Sequence, residues 1–222
     1  MNLPGGVLGV VVGLKAEAAL ARGLGASVRI AISGATADGA SRAAAALVAQ
    51  GVTHLLSFGL AAGLDPALPA GTLLVPERVV VGSRAYACDQ ALIARLGPGH
   101  AAPLLHSDTL VSRVAEKAAL FAASGCGALD MESGAVARAA HTAGLPFAVL
   151  RAVCDTAGRA LPPAAQISLL PDGSLRSTAI LASLLRRPEQ LPALLALGRD
   201  AARAKTTLSK RTNRLANLLT NV

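Results

Sequence analysis

Aromatic side chains are almost missing from this sequence: 222 residues include no Trp, one Tyr and three Phe. The interior must be filled by small aliphatic side chains, mostly Ala, Val and Leu. The same scarcity removes the stacking platforms that single-stranded nucleic acid needs, so no nucleic-acid partner is expected. Charged residues are also few, 15% against 53% hydrophobic, which excludes disorder as the default state. No apolar run reaches the ~18 residues of a bilayer span. Met1 to Leu14 is apolar but has no basic start, and its Gly- and Val-rich stretch reads as a first strand. Three scattered cysteines, Cys88, Cys126 and Cys154, make no disulfide framework, so a cytoplasmic location is expected. His54, His100, His106 and His141 show no metal-ligand spacing, so no metal is expected. No Gly-x-Gly-x-x-Gly follows the first strand, which argues against a dinucleotide cofactor.

What charge there is lies unevenly. Residues 1–175 hold 12 Lys/Arg against 11 Asp/Glu, while residues 176–222 hold 9 against 2. The net charge of +8 is thus almost entirely that of the last fifth of the chain. Such asymmetry concerns partners rather than fold.

Apolar runs and helical stretches alternate. Val7–Gly13, Val28–Ile32, Thr53–Phe58, Thr72–Val75, Arg78–Val81, Leu104–His106, Ala128–Leu129 and Phe147–Val153 read as strands. Gly59 closes the third of these, and Pro76 separates the fourth from the fifth. Lys15–Leu24, Ala40–Gln50, Asp89–Leu96, Ser112–Ala123 (capped by Ser112) and a segment ending near Ala143 read as helices. Asp155–Gln166, with Pro162-Pro163, reads as a loop. The remainder is helical, interrupted at Pro188 and Pro192. Short links between strands and helices predict an α/β fold: a mixed, largely parallel central sheet flanked by helices.

Ligands of such sheets bind at the carboxyl ends of the strands. Three acids fall there: Glu17 after the first strand, Glu132 after Ala128-Leu129, and Asp155 after Phe147–Val153. Any one alone reads as a cap or a solvated charge, but three of only 13 acids point to a site. Cys154, beside Asp155, has no His paired to it by motif and reads as a buried structural thiol.

The segments around these acids carry a resemblance. Val10-Val11-Val12-Gly13-Leu14-Lys15-Ala16-Glu17, Phe58-Gly59-Leu60-Ala61-Ala62-Gly63-Leu64 with Ala70-Gly71-Thr72-Leu73, Leu129-Asp130-Met131-Glu132-Ser133-Gly134-Ala135, and Val149-Leu150-Arg151-Ala152-Val153-Cys154-Asp155 occur in order between residues 7 and 160. Together they resemble the nucleoside phosphorylase and nucleosidase superfamily, in particular methylthioadenosine/adenosylhomocysteine nucleosidases. Ser33-Gly34, Arg42, Ser57-Phe58-Gly59, Leu64-Asp65-Pro66-Ala67-Leu68 and Leu184-Leu185-Arg186-Arg187-Pro188 are most similar to one branch, the hopanoid-associated phosphorylases.

The resemblance implies cleavage of the bond between ribose C1′ and purine N9, with adenosylhopane as the substrate of that branch. A methylthioadenosine/adenosylhomocysteine nucleosidase is the alternative. It implies Asp155 as the acid that protonates the leaving purine at N7, and Glu132 as acceptor of the ribose hydroxyls. Met131 would pack on the sugar. Glu17 would be the base for an attacking water. Gly59, Leu60, Ala61, Thr109, Leu110 and Val111 would complete the substrate site. Ser33, Gly34 and Arg42 would hold phosphate if phosphate is the co-substrate; the residues leave water and phosphate both open. Three departures stand out. Leu60 and Ala62 replace Ser and Gly of the glycine-rich turn. Cys154 replaces a Ser. Leu110 stands where an aromatic is usual.

The expected organisation is a catalytic domain over 1–187 and a basic amphipathic helical extension over 188–222. Helical spacing puts Leu197, Ala201, Ala204, Leu208 and Leu215 on one face, and Arg199, Arg203, Lys210 and Arg214 opposite. Such a helix either docks on the body or meets an anionic membrane, on the inner face of the cell membrane if the substrate is lipid-linked. A homo-oligomer is implied by the resemblance alone. A non-catalytic membrane or nucleic-acid adaptor working through this tail is the reading of another class.

Overall fold

The computed structural model describes residues 6–25, 28–166, 174 and 177–217. The first strand, β1 (Leu8–Val12), is buried along its whole length. Helix α1 (Lys15–Ala21) leads back to β2 (Val28–Ile32), which lies parallel to β1 at the sheet edge. Helix α2 (Ala37–Ala49) begins earlier than the Ala-rich run suggested. The Thr36 hydroxyl caps it, accepting the Gly39 N–H at 3.1 Å.

Strand β3 (His54–Gly63) differs most from expectation. It does not stop at Gly59 but continues for four residues. Gly59 takes φ +150°, which keeps the backbone extended where a side chain would not fit. The strand pairs with β1 early and keeps pairing with the last strand as far as Ala62. Strands β4 (Leu73–Leu74) and β5 (Arg78–Val81) are separated at Pro76, as expected. Next comes β6 (Arg84–Ala87), a strand absent from the sequence reading. It returns along β5 through a two-residue Gly82-Ser83 turn, a hairpin signal present in the sequence.

Helix α3 (Gln90–Leu96) is capped by Asp89, and β7 (Leu104–His106) follows. Helix α4 (Val114–Ser124) starts with Arg113 at the cap position, so Ser112 is not its cap. Strand β8 (Ala128–Asp130), α5 (Ser133–Ala143) and β9 (Phe147–Asp155) complete the motif-bearing part. Where a loop was expected, Pro163–Gln166 forms the single turn α6. Two helices follow: α7 (Ser177–Arg186) and the 27-residue α8 (Leu191–Asn217). Pro188 divides them, but Pro192 does not break α8. It stands in the first turn, where a missing N–H costs nothing.

The nine strands form one sheet in the order β2-β1-β3-β8-β7-β5-β6, with β9 paired to β3 and β4. Five pairings are parallel; β3–β8, β4–β9 and β5–β6 are antiparallel. Alternating strand residues feed two layers. On one face Val11, Leu55 and Val149 meet the alanines of α2 and α5. On the other, Val10, Val12, Leu56 and Phe58 meet α1, α3 and α8. Alanine helices can approach a sheet closely, which is how a chain short of aromatics fills its core.

Within its described part, the tail at 188–222 docks on the body through its apolar face. Ala204, Leu208 and Leu215 are buried in the same cluster as β1 and β3. Burying each leucine contributes on the order of 2 kcal/mol. Arg199, Arg203, Lys210 and Arg214 point the other way and are exposed. Among the described residues no helix is long and apolar enough to cross a membrane.

Candidate active site

One cavity of about 300 Å³ opens over the carboxyl ends of β1, β3, β8 and β9. Glu17, Glu132 and Asp155 all line it. The chain brings them together from three separate segments, and all three are buried.

Glu17 projects from α1, whose first turn follows β1 directly. Its Oε2 accepts the N–H groups of Gly13 and Leu14, both at 2.9 Å, and its Oε1 accepts the Leu60 N–H at 2.8 Å. Two glycines make room for it. A Cβ on Gly59 would sit 2.5 Å from Oε1, and a Cβ on Gly13 would sit 3.2 Å from Oε2 and 2.7 Å from Glu132 Oε1. Gly59, expected to bind substrate, is thus absent from the cavity wall and serves Glu17 instead. Burial raises the pKa of Glu17, opposed by Arg151 and by the three backbone N–H groups.

Glu132 stands at the junction of β8 and α5. Arg151, from the middle of β9, reaches it at 2.9 Å through Nη2. The same guanidinium lies 2.5 Å from Asp130 Oδ2 through Nε. It also donates to Ser57 Oγ and to the Leu60 carbonyl, each at 2.8 Å. Ser133 closes the network, donating to Asp130 and lying 2.8 Å from Ser57 Oγ. One cation thus serves three buried carboxylates. Burial pushes Glu132 up to about 7; Arg151 opposes this, and Asp130 and Glu17 add to it.

Asp155 ends β9 on the other side of the cavity. Its Oδ2 takes a 2.6 Å bond from Lys117 Nζ, and its Oδ1 is buried with no partner among the described residues. Burial raises its pKa, with Lys117 and Arg159 working against the rise. Cys154 also faces the cavity, where burial and then Asp155 and Glu17 push its thiol to about 12. It therefore stays protonated at neutral pH, which suits a structural thiol better than a nucleophile.

Leu60, Ala61, Thr109, Leu110, Val111 and Met131 line the same cavity. The expected phosphate residues do not. Ser33 is buried, with its Oγ accepting the Ala35 N–H at 3.1 Å, and Arg42 is exposed on α2. From that segment it is Ala35, at φ +56°, that reaches the cavity wall.

Several residues escaped the sequence reading. Arg151 and Asp130 lie inside the motifs that carry the resemblance, but a buried network cannot be seen in spacing. Lys117 gave no signal at all within an alanine-rich helix. Leu161, Ala165, Leu197 and Ala201 also line the cavity, the last two from α8.

Compared with known proteins, residues 16–186 match a family model described as the phosphorylase superfamily. No curated protein sequence matches the chain. Among solved structures, the S-adenosylhomocysteine nucleosidase of Streptococcus pyogenes, in complex with 5-methylthiotubericidin, is 16% identical with a TM-score of 0.66, covering 96% of this chain and 99% of that one. The 5′-methylthioadenosine/S-adenosyl homocysteine nucleosidase of Helicobacter pylori is 14% identical with a TM-score of 0.69, covering 96% and 98%. The futalosine hydrolase of Helicobacter pylori is 14% identical with a TM-score of 0.68, covering 96% and 97%. At these identities the likeness is one of fold.

Proposed function

Because the chain belongs to the phosphorylase superfamily, we propose that it is an enzyme cleaving the N-glycosidic bond of a 5′-substituted adenine nucleoside, with water as the acceptor. The observation that carries this reading is the convergence of Glu17, Glu132 and Asp155 on one cavity.

The chemistry follows from charge. As the C1′–N9 bond breaks, its electron pair leaves with the base and positive charge grows on C1′. Asp155, whose pKa burial raises, gives its proton to purine N7, so that the base departs neutral. Glu132 accepts the ribose 2′- and 3′-hydroxyls. With Asp130 and Glu17 it forms a cluster holding more carboxylates than cations, which favours a cationic transition state. Glu17 takes the proton of the water that attacks C1′.

Water is favoured over phosphate by one feature. Arg151 is the sole cation lining the cavity among the described residues, and its charge is already set against Asp130 and Glu132, while Ser57 and the Leu60 carbonyl take two further N–H groups. A phosphate anion would enter a site of carboxylates with no cation to meet it.

The 5′-substituent of this reading is apolar, as in adenosylhopane, giving adenine and a ribosyl hopane. Leu60, Leu161, Leu197, Ala165 and Ala201 supply a greasy wall in keeping with it. Exposed Leu181 and Leu185 of α7 and Leu191 and Leu195 of α8, together with the exposed basic residues of α8, fit peripheral contact with an anionic membrane.

The test is adenine release from adenosylhopane and from methylthioadenosine, each with and without phosphate. Release from the first alone, independent of phosphate, is expected. Release from methylthioadenosine alone shifts the substrate to the salvage nucleosides. Strict phosphate dependence removes the water mechanism.

A further inference from the structure

Asp155 is held from behind by a side chain that does not line the cavity. Lys117 is fully buried, and its Nζ donates to Asp155 Oδ2 at 2.6 Å, to the Thr156 carbonyl at 3.0 Å and to the Arg159 carbonyl at 2.8 Å. An ammonium has three donors and no acceptor, so all three are spent. Oδ2 therefore faces an N–H, and because a protonated carboxyl oxygen is a much poorer acceptor than a carbonyl oxygen, a proton on Oδ2 would weaken that bond. Oδ1 is buried and has no hydrogen-bond partner among the described residues. A neutral Asp155 is therefore favoured with its proton on Oδ1.

Resting on the nucleosidase reading above, we propose that Lys117 is a positioning residue of the reaction: it confines the proton of Asp155 to Oδ1 and stabilises the carboxylate left once that proton has moved to the base. In the step, the Oδ1–H bond breaks and the N7–H bond forms. The pair of the C1′–N9 bond goes to the purine. Asp155 is left ionised, with Oδ2 still against the ammonium. Solvent returns a proton to Oδ1 after the products leave.

The surroundings favour this role over plain structural support. A buried ammonium is costly to desolvate, and an apolar residue of similar volume would suit the inner face of an alanine-rich helix as well. The other groups facing Asp155 are few. Arg159 follows β9 and pairs with Asp200 of α8 at 2.9 Å, and the Cys154 thiol is adjacent in sequence. Burial raises the acid, Lys117 and Arg159 lower it, and Asp200 raises it again. Without Lys117, Asp155 holds its proton more tightly and is a poorer donor.

The test pairs two measurements on the full chain, in the wild type, Lys117→Met, Lys117→Gln and Lys117→Arg. One is titration of the Asp155 carboxyl by carbon NMR. The other is the pH profile of adenine release. In the Met and Gln variants the Asp155 titration moves up, and the alkaline limb of kcat moves up with it. At neutral pH kcat falls about a hundredfold while KM changes far less. The Arg variant recovers part of the loss. An unmoved titration in a folded Met or Gln variant overturns the proposal, as does a loss of kcat equal at every pH. If the wild type releases no adenine, the nucleosidase reading fails by that result, and the titration still decides whether Lys117 governs Asp155.

Discussion

The two sides of the cavity solve the problem of buried charge in opposite ways. On the side proposed to hold the sugar, one guanidinium, Arg151, is shared among Asp130, Glu132 and, at longer range, Glu17. On the side proposed to hold the base, one ammonium, Lys117, serves one carboxylate, Asp155. The first cluster is short of positive charge and fits a ligand that becomes cationic. The second is balanced, and fits an acid that must lose one proton from one chosen oxygen. The comparison teaches that the ratio of cations to carboxylates, more than the number of carboxylates, assigns the role of each side.

The largest expected effect comes from removing the acid. Asp155→Asn keeps the shape and loses the proton, so adenine release should fall by about 10²–10⁴-fold, and the melting temperature should fall as well because the buried Lys117 ammonium loses its counter-charge. A variant retaining most of its activity would remove the base side from the mechanism.

Next is the shared cation. Arg151→Met leaves the buried carboxylates without their counter-charge and should cost about 3–5 kcal/mol in denaturant unfolding at neutral pH. The loss should shrink at acidic pH, where the carboxylates neutralise themselves. Lys117→Met should cost less, because only one carboxylate is left behind. Equal costs for the two variants would erase the contrast between the sides.

Stability should also depend on pH in a direction set by the sugar side. The pKa of Glu132 is about 7 when folded, above its ordinary 4.5, with burial the main cause. Its contribution is therefore fully present below about pH 4.5 and is lost as pH rises through 7. Unfolding free energy should fall between these pH values, and Glu132→Gln should flatten that slope. An unchanged slope in the variant would show that Glu132 ionises freely in the folded chain.

Gly59→Ala should cost about 1–3 kcal/mol and lower kcat, since the new methyl meets the Glu17 carboxylate at a positive φ. The smallest effect is expected at the outer face of α8. Neutralising Arg199, Lys210 and Arg214 should move stability by no more than about 0.5 kcal/mol and leave turnover of a soluble substrate unchanged. Binding to anionic vesicles is the property it should reduce.

How much of this was legible in the sequence depended on the reach of the interaction. Local rules found most strands and helices, because apolar alternation and turn residues act over a few positions. They failed at β3, where pairing with β9 carries the chain past Gly59. Pro192 does not break α8, because the effect of a proline depends on its position within the turn. The three carboxylates could be picked out because each follows a strand. Their partners could not: Arg151 and Lys117 meet them across 19 and 38 residues of chain, at contacts that exist only once the sheet has formed. Leu197 and Ala201 were placed correctly on the apolar face of α8, yet nothing in their spacing showed that this face would border the cavity.

The most direct probe is calorimetric binding of two adenine nucleoside analogues of equal shape, one with a protonated nitrogen in the sugar ring and one with a neutral ring. An excess of carboxylates around the anomeric carbon predicts that the charged analogue binds at least about a hundredfold more tightly, with the preference lost in Glu132→Gln. Equal affinity for the two analogues would contradict the account at its base.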